Sequence, residues 1–164
     1  MEITLKPYDS MSDKIMLRSI MAFFRVHHSQ VNDAEAREIL ADWTKEDHEL
    51  YTILGDGVPV GFVRLNWRGA AVCWIEDIFV EDGLRRQGIA SKAIGLVEKV
   101  LQKRGVEGIC MDVIPDNIPA LRLYHRLGYD RLSIVTVRKD MQPFETERRE
   151  QIGGMDFRIK QFND

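Results

Sequence analysis

Residues 77–91 have the sequence Asp-Ile-Phe-Val-Glu-Asp-Gly-Leu-Arg-Arg-Gln-Gly-Ile-Ala-Ser, in which a strand-like apolar run enters a short basic loop that leads into a helical pattern. The unpaired N–H groups and the dipole at a helix N-terminus favour anions. Arg85 and Arg86 add positive charge, and Gly88 lets a phosphate approach the backbone without a Cβ in the way. The stretch therefore predicts a phosphate-binding loop between a buried strand and a helix.

Two common phosphate-binding motifs do not fit this loop. The lysine and the serine or threonine of a Walker loop are missing, and the glycine spacing differs from that of a dinucleotide-binding fingerprint. The loop therefore indicates a phosphate-containing ligand without indicating either of these two nucleotide-binding classes.

Hydrophobic periodicity predicts strands and helices on both sides of the loop. The period is two between residues 49 and 80 and becomes helical from residue 89. Predicted strands cover residues 3–6, 50–54, 58–67, 72–80, 108–114, 132–139 and 157–162, and predicted helices begin near residues 12, 32, 88 and 117. The run 72–80 is apolar on both faces, so it is expected inside the sheet. The pattern predicts an α/β or α+β fold with helices on the faces of one sheet.

Length, composition and charge limit the class of protein. The 164 residues are expected to form a single domain, 1–164, and the net charge of −3 argues against a nucleic-acid partner. No apolar run reaches the roughly 20 residues of a membrane span, and the N-terminus does not resemble a signal peptide. Cys73 and Cys110 lie in apolar runs, as buried cysteines of a reducing compartment do. We expect a cytoplasmic protein without a membrane partner.

Two motifs carry a resemblance to a known family. Residues 85–90, Arg-Arg-Gln-Gly-Ile-Ala, resemble the Q/R-x-x-G-x-G/A signature of the GCN5-related N-acetyltransferases, the GNAT family. About 30 residues later, residues 117–129 resemble the family's N-x-x-A-x-x-x-Y followed by L-G-F/Y. The resemblance covers residues 49–139 well and the first 48 residues only in general pattern. It implies a single mixed, mostly antiparallel sheet with helices on both faces.

The resemblance also implies acetyl-CoA as cosubstrate and assigns residues to it. Main-chain N–H groups would hold the pyrophosphate, the end of the strand would pair with the pantetheine arm, and Asn117 and Ala120 would contact that arm. Tyr124 would donate a proton to the departing thiolate, although packing against the sheet is an alternative for this residue. The implied cofactor-binding residues are Ile78, Phe79, Val80, Arg85, Arg86, Gln87, Gly88, Ile89, Ala90, Ser91, Asn117, Ala120 and Tyr124.

A base is expected because an alkylamine is mostly protonated at neutral pH and must lose a proton before it attacks. Glu76 is the candidate, since it lies in an apolar strand where an unpaired carboxylate is costly. Alternation places it on the face of Trp74, Ile78 and Val80, with Asp77 on the other face. A structural ion pair is the alternative for Glu76. His27, His28 and His125 are weaker candidates, and no residue spacing suggests a metal site.

The expected function is transfer of an acetyl group from acetyl-CoA to an amine by direct attack. Residues 74–80 resemble the glutamate-containing strand of some aminoglycoside and polyamine acetyltransferases, and an acidic chain suits a cationic acceptor. Protein N-termini or lysines, a CoA-binding domain without turnover, and another kind of nucleotide-binding protein remain alternatives. The charged tail 142–164 is expected to cover a sheet edge, to form a homodimer or to be solvated.

Overall fold

The computed structural model describes residues 1–69, 71–141 and 147–161. The chain divides into two compact units, Met1–Asp112 and Val113–Asp164. The first unit contains strands β1 (Ile3–Pro7), β2 (His48–Gly55), β3 (Val58–Trp67), β4 (Val72–Val80) and β5 (Gly108–Cys110), and helices α1 (Asp13–Val26), α2 (Asp33–Trp43) and α3 (Ile89–Lys103). The second contains helix α4 (Ile118–Arg126) and strands β6 (Glu147–Ile152) and β7 (Met155–Lys160). The single-domain expectation stays a prediction.

Five strands of the first unit form one sheet in the order β1-β2-β3-β4-β5. The pairs from β1 to β4 are antiparallel, whereas β4 and β5 are parallel. This mixed, mostly antiparallel sheet confirms the predicted fold class, and β4 lies inside the sheet as expected. β5 covers only three residues of the predicted 108–114, because its pairing with β4 ends at Cys110.

Helices cover both faces of this sheet. α1 and α2 contribute to one core cluster that includes Phe62 and Phe79, whereas α3 contributes Ile89 and Ala93 to another that includes Val80. Phe79 and Val80 are neighbours in β4, and successive side chains of a strand point to opposite faces. The two clusters therefore lie on opposite sides of the sheet.

Local sequence explains where several elements begin and turn. Asn32 caps α2, since its Oδ1 accepts hydrogen bonds from the N–H groups of Ala34 and Glu35, and the Glu35 carboxylate accepts one from the Asn32 N–H. The β2–β3 turn has positive φ at both Asp56 and Gly57, which is the backbone that a tight two-residue hairpin requires. The predicted hairpin and second helix are confirmed.

The second unit differs from the sequence prediction in one respect. Residues 132–139 were expected to form a strand, but residues 131–140 have no regular secondary structure. Leu132, Ile134 and Val137 are each more than two-thirds exposed. The alternating pattern is present, but no strand among the described residues pairs with it, so the strand prediction is wrong.

The C-terminal tail is described only in part. The predicted strand 157–162 corresponds to β7, which forms an antiparallel hairpin with β6, a strand that the periodicity did not predict. Residues 142–146 and 162–164 of the predicted tail lie outside the described residues. The proposed roles of residues 142–164, including a homodimer, stay predictions.

Candidate active site

The second half of β4 has no partner strand on its β5 side among the described residues. Parallel pairing joins Val72, Cys73 and Trp74 to β5 and stops there. The other edge of β4 remains paired with β3 as far as Val80. Residues 75–80 therefore present main-chain groups to which an extended chain can bind like an added strand. The predicted pantetheine-binding residues Ile78, Phe79 and Val80 lie in this segment.

The loop after β4 leads into α3 with two residues in the left-handed region. Arg86 has a φ of 64°, and Gly88, the N-cap of α3, has a φ of 77°. No side chain caps this helix, and the first helical hydrogen bond runs from the Lys92 N–H to the Gly88 carbonyl. A Cβ added at Gly88 would meet no described atom within 4 Å. The helix therefore begins with uncapped N–H groups and with open space at the Cβ position of Gly88, as an anion site requires.

Arg85 has a structural role in addition to its predicted one. Its Nε donates to the Val80 carbonyl at 2.9 Å, and its Nη2 lies 2.8 Å from the Asp82 carboxylate. The guanidinium also lies 5.5 Å from the centre of the Phe79 ring. Arg85 thus ties the loop to the end of β4. Its role toward a phosphate stays a prediction.

Glu76 is the extra residue of a β-bulge. The β3–β4 register pairs Arg64 with Asp77 and Leu65 with Ile75, so that Glu76 has no partner on β3. Cross-strand partners share a face of the sheet. The pairs on the α1–α2 face are Trp74 with Asn66, Asp77 with Arg64, and Phe79 with Phe62. The predicted alternation is therefore wrong beyond Glu76, because the bulge moves Asp77 onto the face of Trp74 and moves Ile78 and Val80 to the other.

The Glu76 carboxylate forms an ion pair with Arg68. The Nη2 atom of Arg68 lies 2.7 Å and 3.1 Å from its two oxygens, and the same atom lies 3.1 Å from Oδ2 of Asp112. The Arg68 guanidinium lies 4.7 Å from the centre of the Trp74 ring. The ion pair that was an alternative for Glu76 is present, but the Arg68 side chain is 39% exposed. A pair this exposed contributes little to stability and exchanges readily with water.

Asp77 is a candidate functional residue that the sequence prediction missed. Its Oδ2 accepts a hydrogen bond from Nε of Arg64 at 2.7 Å and lies 2.7 Å from Nη2 of the same guanidinium, and the two side chains are only 18% and 13% exposed. Burial raises the pKa of the Asp77 carboxyl, the Arg64 guanidinium opposes that rise, the charge of Glu76 adds to it and His27 lowers it. A bulge cannot be read from apolar periodicity, so the sequence offered no signal that Asp77 belongs to this face.

The two candidate histidines near α1 differ in their surroundings. His27 is the C-cap of α1, and its ring lies 4.6 Å from the Phe23 ring centre to centre. His28 has a φ of 56°, and both histidines are exposed. A positive charge on His27 lowers the pKa of the Asp77 carboxyl, which favours His27 as the candidate nearer to this site.

The second unit carries the other predicted residues on α4. Asn117 is the N-cap, and its Oδ1 accepts from the Ala120 N–H at 3.2 Å. The cap uses the amide oxygen and does not need the two donors of the amide nitrogen. Tyr124 is half-buried, and its ring lies edge to face with Tyr129 at 6.4 Å. His125 is exposed and lines a groove of about 440 Å³ with Arg122, Arg126 and Tyr129.

Among the described residues no group of three or more His, Cys, Asp and Glu side chains is arranged to hold a metal ion. No helix within residues 1–69, 71–141 and 147–161 has the length and apolar character of a membrane span.

The acetyltransferase (GNAT) family profile matches residues 15–129. This match covers more than half of the chain and includes both the 85–90 loop and the 117–129 motif. The chain belongs to the GNAT acetyltransferase family. The recognition made from the two motifs is therefore confirmed.

Curated relatives of this GNAT protein are acetyltransferases by name. It is 26% identical over 113 residues to an aminoglycoside N(6')-acetyltransferase type 1 of Salmonella typhimurium, covering 63% of this chain and 75% of the relative. It is 30% identical over 105 residues to the protein of the same name from Serratia marcescens, covering 58% and 70%. It is 36% identical over 76 residues to an acetyltransferase of Agrobacterium fabrum, covering 46% and 50%.

Solved structures show that this GNAT protein shares its fold with acetyltransferases. The aminoglycoside acetyltransferase AAC(6')-Iy in complex with a bisubstrate analogue superposes with a TM-score of 0.67 at 17% identity, covering 85% of this chain and 99% of that one. A probable acetyltransferase superposes with a TM-score of 0.70 at 16% identity, covering 90% and 100%. At these identities the similarity establishes the fold alone.

Proposed function

We propose that this GNAT protein transfers the acetyl group of acetyl-CoA to a primary amine of a cationic small molecule. The proposal rests on two features that follow each other along the chain. They are the second half of β4, which is unpaired on its β5 side, and the uncapped start of α3. An extended arm fits the first feature and a pyrophosphate fits the second. CoA contains both groups joined in one molecule. The solved acetyltransferase AAC(6')-Iy, which shares the fold, has been observed with CoA.

The reacting bonds require two proton transfers. The amine nitrogen attacks the thioester carbonyl carbon, a C–N bond forms, and the C–S bond breaks when the tetrahedral intermediate collapses. The amine loses a proton, and the thiolate gains one. No acyl-enzyme is needed, because the nucleophile is supplied by the acceptor.

Glu76 is proposed as the group that accepts the proton from the amine, directly or through one water. Its carboxylate is about one-fifth exposed, and among the described residues its partner is the partly exposed Arg68. An ion pair of this kind can exchange one hydrogen bond for a water at little cost. The bulge supports this role because it leaves Glu76 without a partner residue on β3.

Tyr124 is proposed as the donor of the proton that the thiolate takes up. A phenol donates readily to a thiolate because both groups have pKa values in the alkaline range. The position of Tyr124 within the 117–129 motif supports this assignment. Asn117 is proposed to donate its amide hydrogens to the pantetheine arm, with Ala120 packed against that arm.

The acceptor is proposed to be a small cationic amine of the aminoglycoside or polyamine type. The relatives from Salmonella typhimurium and Serratia marcescens are named aminoglycoside N(6')-acetyltransferases. The net charge of −3 and the carboxylates at the β4 bulge also favour a cationic acceptor over an anionic one.

A thiol-release assay tests the proposal. The purified protein is given acetyl-CoA with each of a panel of aminoglycosides, linear diamines, simple monoamines and peptides with a free N-terminus or lysine. We expect release of CoA thiol with at least one small amine. Release with peptides alone would replace the small-molecule assignment. CoA binding without release on any amine would instead support a binding domain without turnover.

A further inference from the structure

The Asp77–Arg64 pair leaves one carboxylate oxygen without a hydrogen bond. Both Arg64 nitrogens approach Oδ2 at 2.7 Å, and no described residue donates to Oδ1. Among the described residues the only fully buried side-chain polar atom without a partner is Nδ1 of His48. Oδ1 of Asp77 is therefore not fully buried. It is an acceptor held in a fixed position with a place for one more donor.

Arg64 cannot easily turn to satisfy this second oxygen. Its guanidinium lies 4.8 Å from the centre of the Trp43 ring, and Trp43 is 6% exposed within the core cluster of α1 and α2. A guanidinium stacked on a buried indole and bound through two nitrogens has little rotational freedom. The Asp77 oxygens consequently have separate roles, with Oδ2 held by Arg64 and Oδ1 open.

Glu76 differs from Asp77 in this respect. Both of its oxygens lie within hydrogen-bond distance of Arg68. The Asp77 side chain is only 18% exposed, and burial raises its pKa despite the Arg64 pair. A cation that approaches Oδ1 would therefore compensate a negative charge that the protein itself only partly compensates.

Aromatic side chains share the sheet face of this carboxylate. Along β4, Asp77 lies between Trp74 and Phe79 on the α1–α2 face, and the ring of Phe79 lies 6.2 Å from the ring of Phe23. Aromatic faces attract ammonium groups, and they exclude water from an ammonium–carboxylate contact. The surroundings of Oδ1 thus suit an alkylammonium better than a hydrated metal cation.

We propose that Oδ1 of Asp77 binds a second, non-reacting ammonium group of the acceptor, with Arg64 holding the carboxylate in place. This inference rests on the proposed acetyl transfer and adds a specificity residue to it. A carboxylate stabilises the protonated form of an amine, which cannot attack a thioester. Asp77 therefore serves a nitrogen other than the one acetylated, and the protein selects acceptors that carry at least two amines.

Two acceptors of equal chain length isolate the second ammonium. Steady-state kinetics compare 1,4-diaminobutane with butylamine, which lacks only the distal amine. We expect the wild type to prefer the diamine by about ten- to a hundredfold in kcat/KM, the effect of one charge-assisted hydrogen bond. A wild type without this preference overturns the proposal, and this measurement requires no variant to fold.

Variants then assign the preference to Asp77. Asp77→Asn keeps an oxygen for Arg64 but removes the charge, so the preference should fall to within about threefold, mainly through KM for the diamine. Asp77→Glu restores the charge and should recover part of the preference. Asp47→Asn removes the same charge at a side chain that is 66% exposed, and it should keep the preference. Equal slowing of both amines in Asp77→Asn would make the residue structural and would overturn the proposal.

Failure of this inference differs from failure of the proposed function. Thiol release with butylamine at a rate equal to that with the diamine contradicts the ammonium site and leaves acetyl transfer intact. No thiol release with any amine contradicts acetyl transfer, and the ammonium site with it.

Discussion

Tyr124 and Tyr129 form an edge-to-face ring pair. A phenylalanine substitution at either residue removes one hydroxyl and keeps the ring contact. Tyr124→Phe should lower kcat by about 10²-fold because one general acid is lost. CoA binding, followed by calorimetry, should stay near wild type. Tyr129→Phe is the matched control and should keep kcat within about threefold. Equal effects of the two substitutions would assign Tyr124 to packing and leave the thiolate to be protonated by water.

Glu76→Gln tests the proposed base through pH. The variant should slow kcat/KM by about 10²-fold at neutral pH, and the deficit should shrink at alkaline pH, where the free amine is already abundant. Unfolding free energy should fall by no more than about 1 kcal/mol, because Arg68 is partly exposed and glutamine still offers it an oxygen.

Asp112→Asn is the control for that experiment, since it removes the other carboxylate bound to Arg68. It should keep kcat/KM near wild type at every pH. A Glu76→Gln rate that stays low at high pH would contradict the base assignment and would direct the search to His27.

At the residue scale, the sequence indicates which side chains are chemically suited to the site better than it indicates where they point. Glu76 was selected because a carboxylate stands out in an apolar strand, and that signal does not depend on geometry. The orientation of Asp77 depends on a one-residue bulge, which period-two counting assumes to be absent. Arg85 was selected for its charge, but charge alone does not reveal that the Val80 carbonyl holds its guanidinium.

Helix α3 has glycines with positive φ at both ends, and this allows a controlled test of the phosphate loop. Gly88 precedes the helix with a φ of 77°, Gly105 follows it with a φ of 74°, and an added Cβ meets nothing within 4 Å at either position. Each alanine substitution should therefore cost about 1 kcal/mol of stability through backbone strain alone.

Ligand binding should separate the two glycine variants. Saturating CoA should raise the melting temperature of the wild type and of Gly105→Ala, since a ligand bound to the native state stabilises it by mass action. Gly88→Ala should lose most of that shift, because its methyl group occupies the space in front of the uncapped N–H groups. Equal CoA shifts in both alanine variants would exclude the loop as the pyrophosphate site.

Elements were predictable where the signal is local. The capping box of α2 and the Asp56-Gly57 turn are encoded within a few residues, and both were found where the sequence indicated. The failure at residues 132–139 has the opposite cause. Alternation shows that a segment can form a strand, but a strand also requires a partner edge, and partner edges are not encoded in the segment itself.

At the scale of the whole molecule, stability should depend on pH through Glu49. Its carboxylate accepts from Oη of Tyr51 at 2.5 Å and from Nε1 of Trp67 at 2.9 Å, and it also binds Arg104 beyond the end of α3. Partial burial alone would raise the pKa of Glu49, but the hydrogen bonds from Arg104, Tyr51 and Trp67 outweigh it and hold that pKa below its usual value.

Glu49→Gln should lower the unfolding free energy by about 1–2 kcal/mol at pH 7, a range reduced for the partial exposure of Glu49 and Arg104. A folded-state pKa below the unfolded one stabilises the fold above the unfolded pKa and ceases to do so as pH falls through the folded value. The difference between wild type and variant in urea melts should therefore shrink below about pH 4.5. A difference that is constant from pH 7 to pH 3 would show that the carboxylate charge is not responsible.

The open half of β4 also has a consequence for solubility. An unpaired strand edge is a template for edge-to-edge association, and proteins usually block such edges with charges, prolines or a covering segment. Residues 75–80 cannot be blocked permanently if an extended arm must bind there. Under the proposed function the cosubstrate is then a removable edge cover, and the ligand-free protein is the aggregation-prone form. Concentrated protein should scatter more light without CoA than with it, and adenosine 3',5'-bisphosphate, which lacks the pantetheine arm, should not substitute.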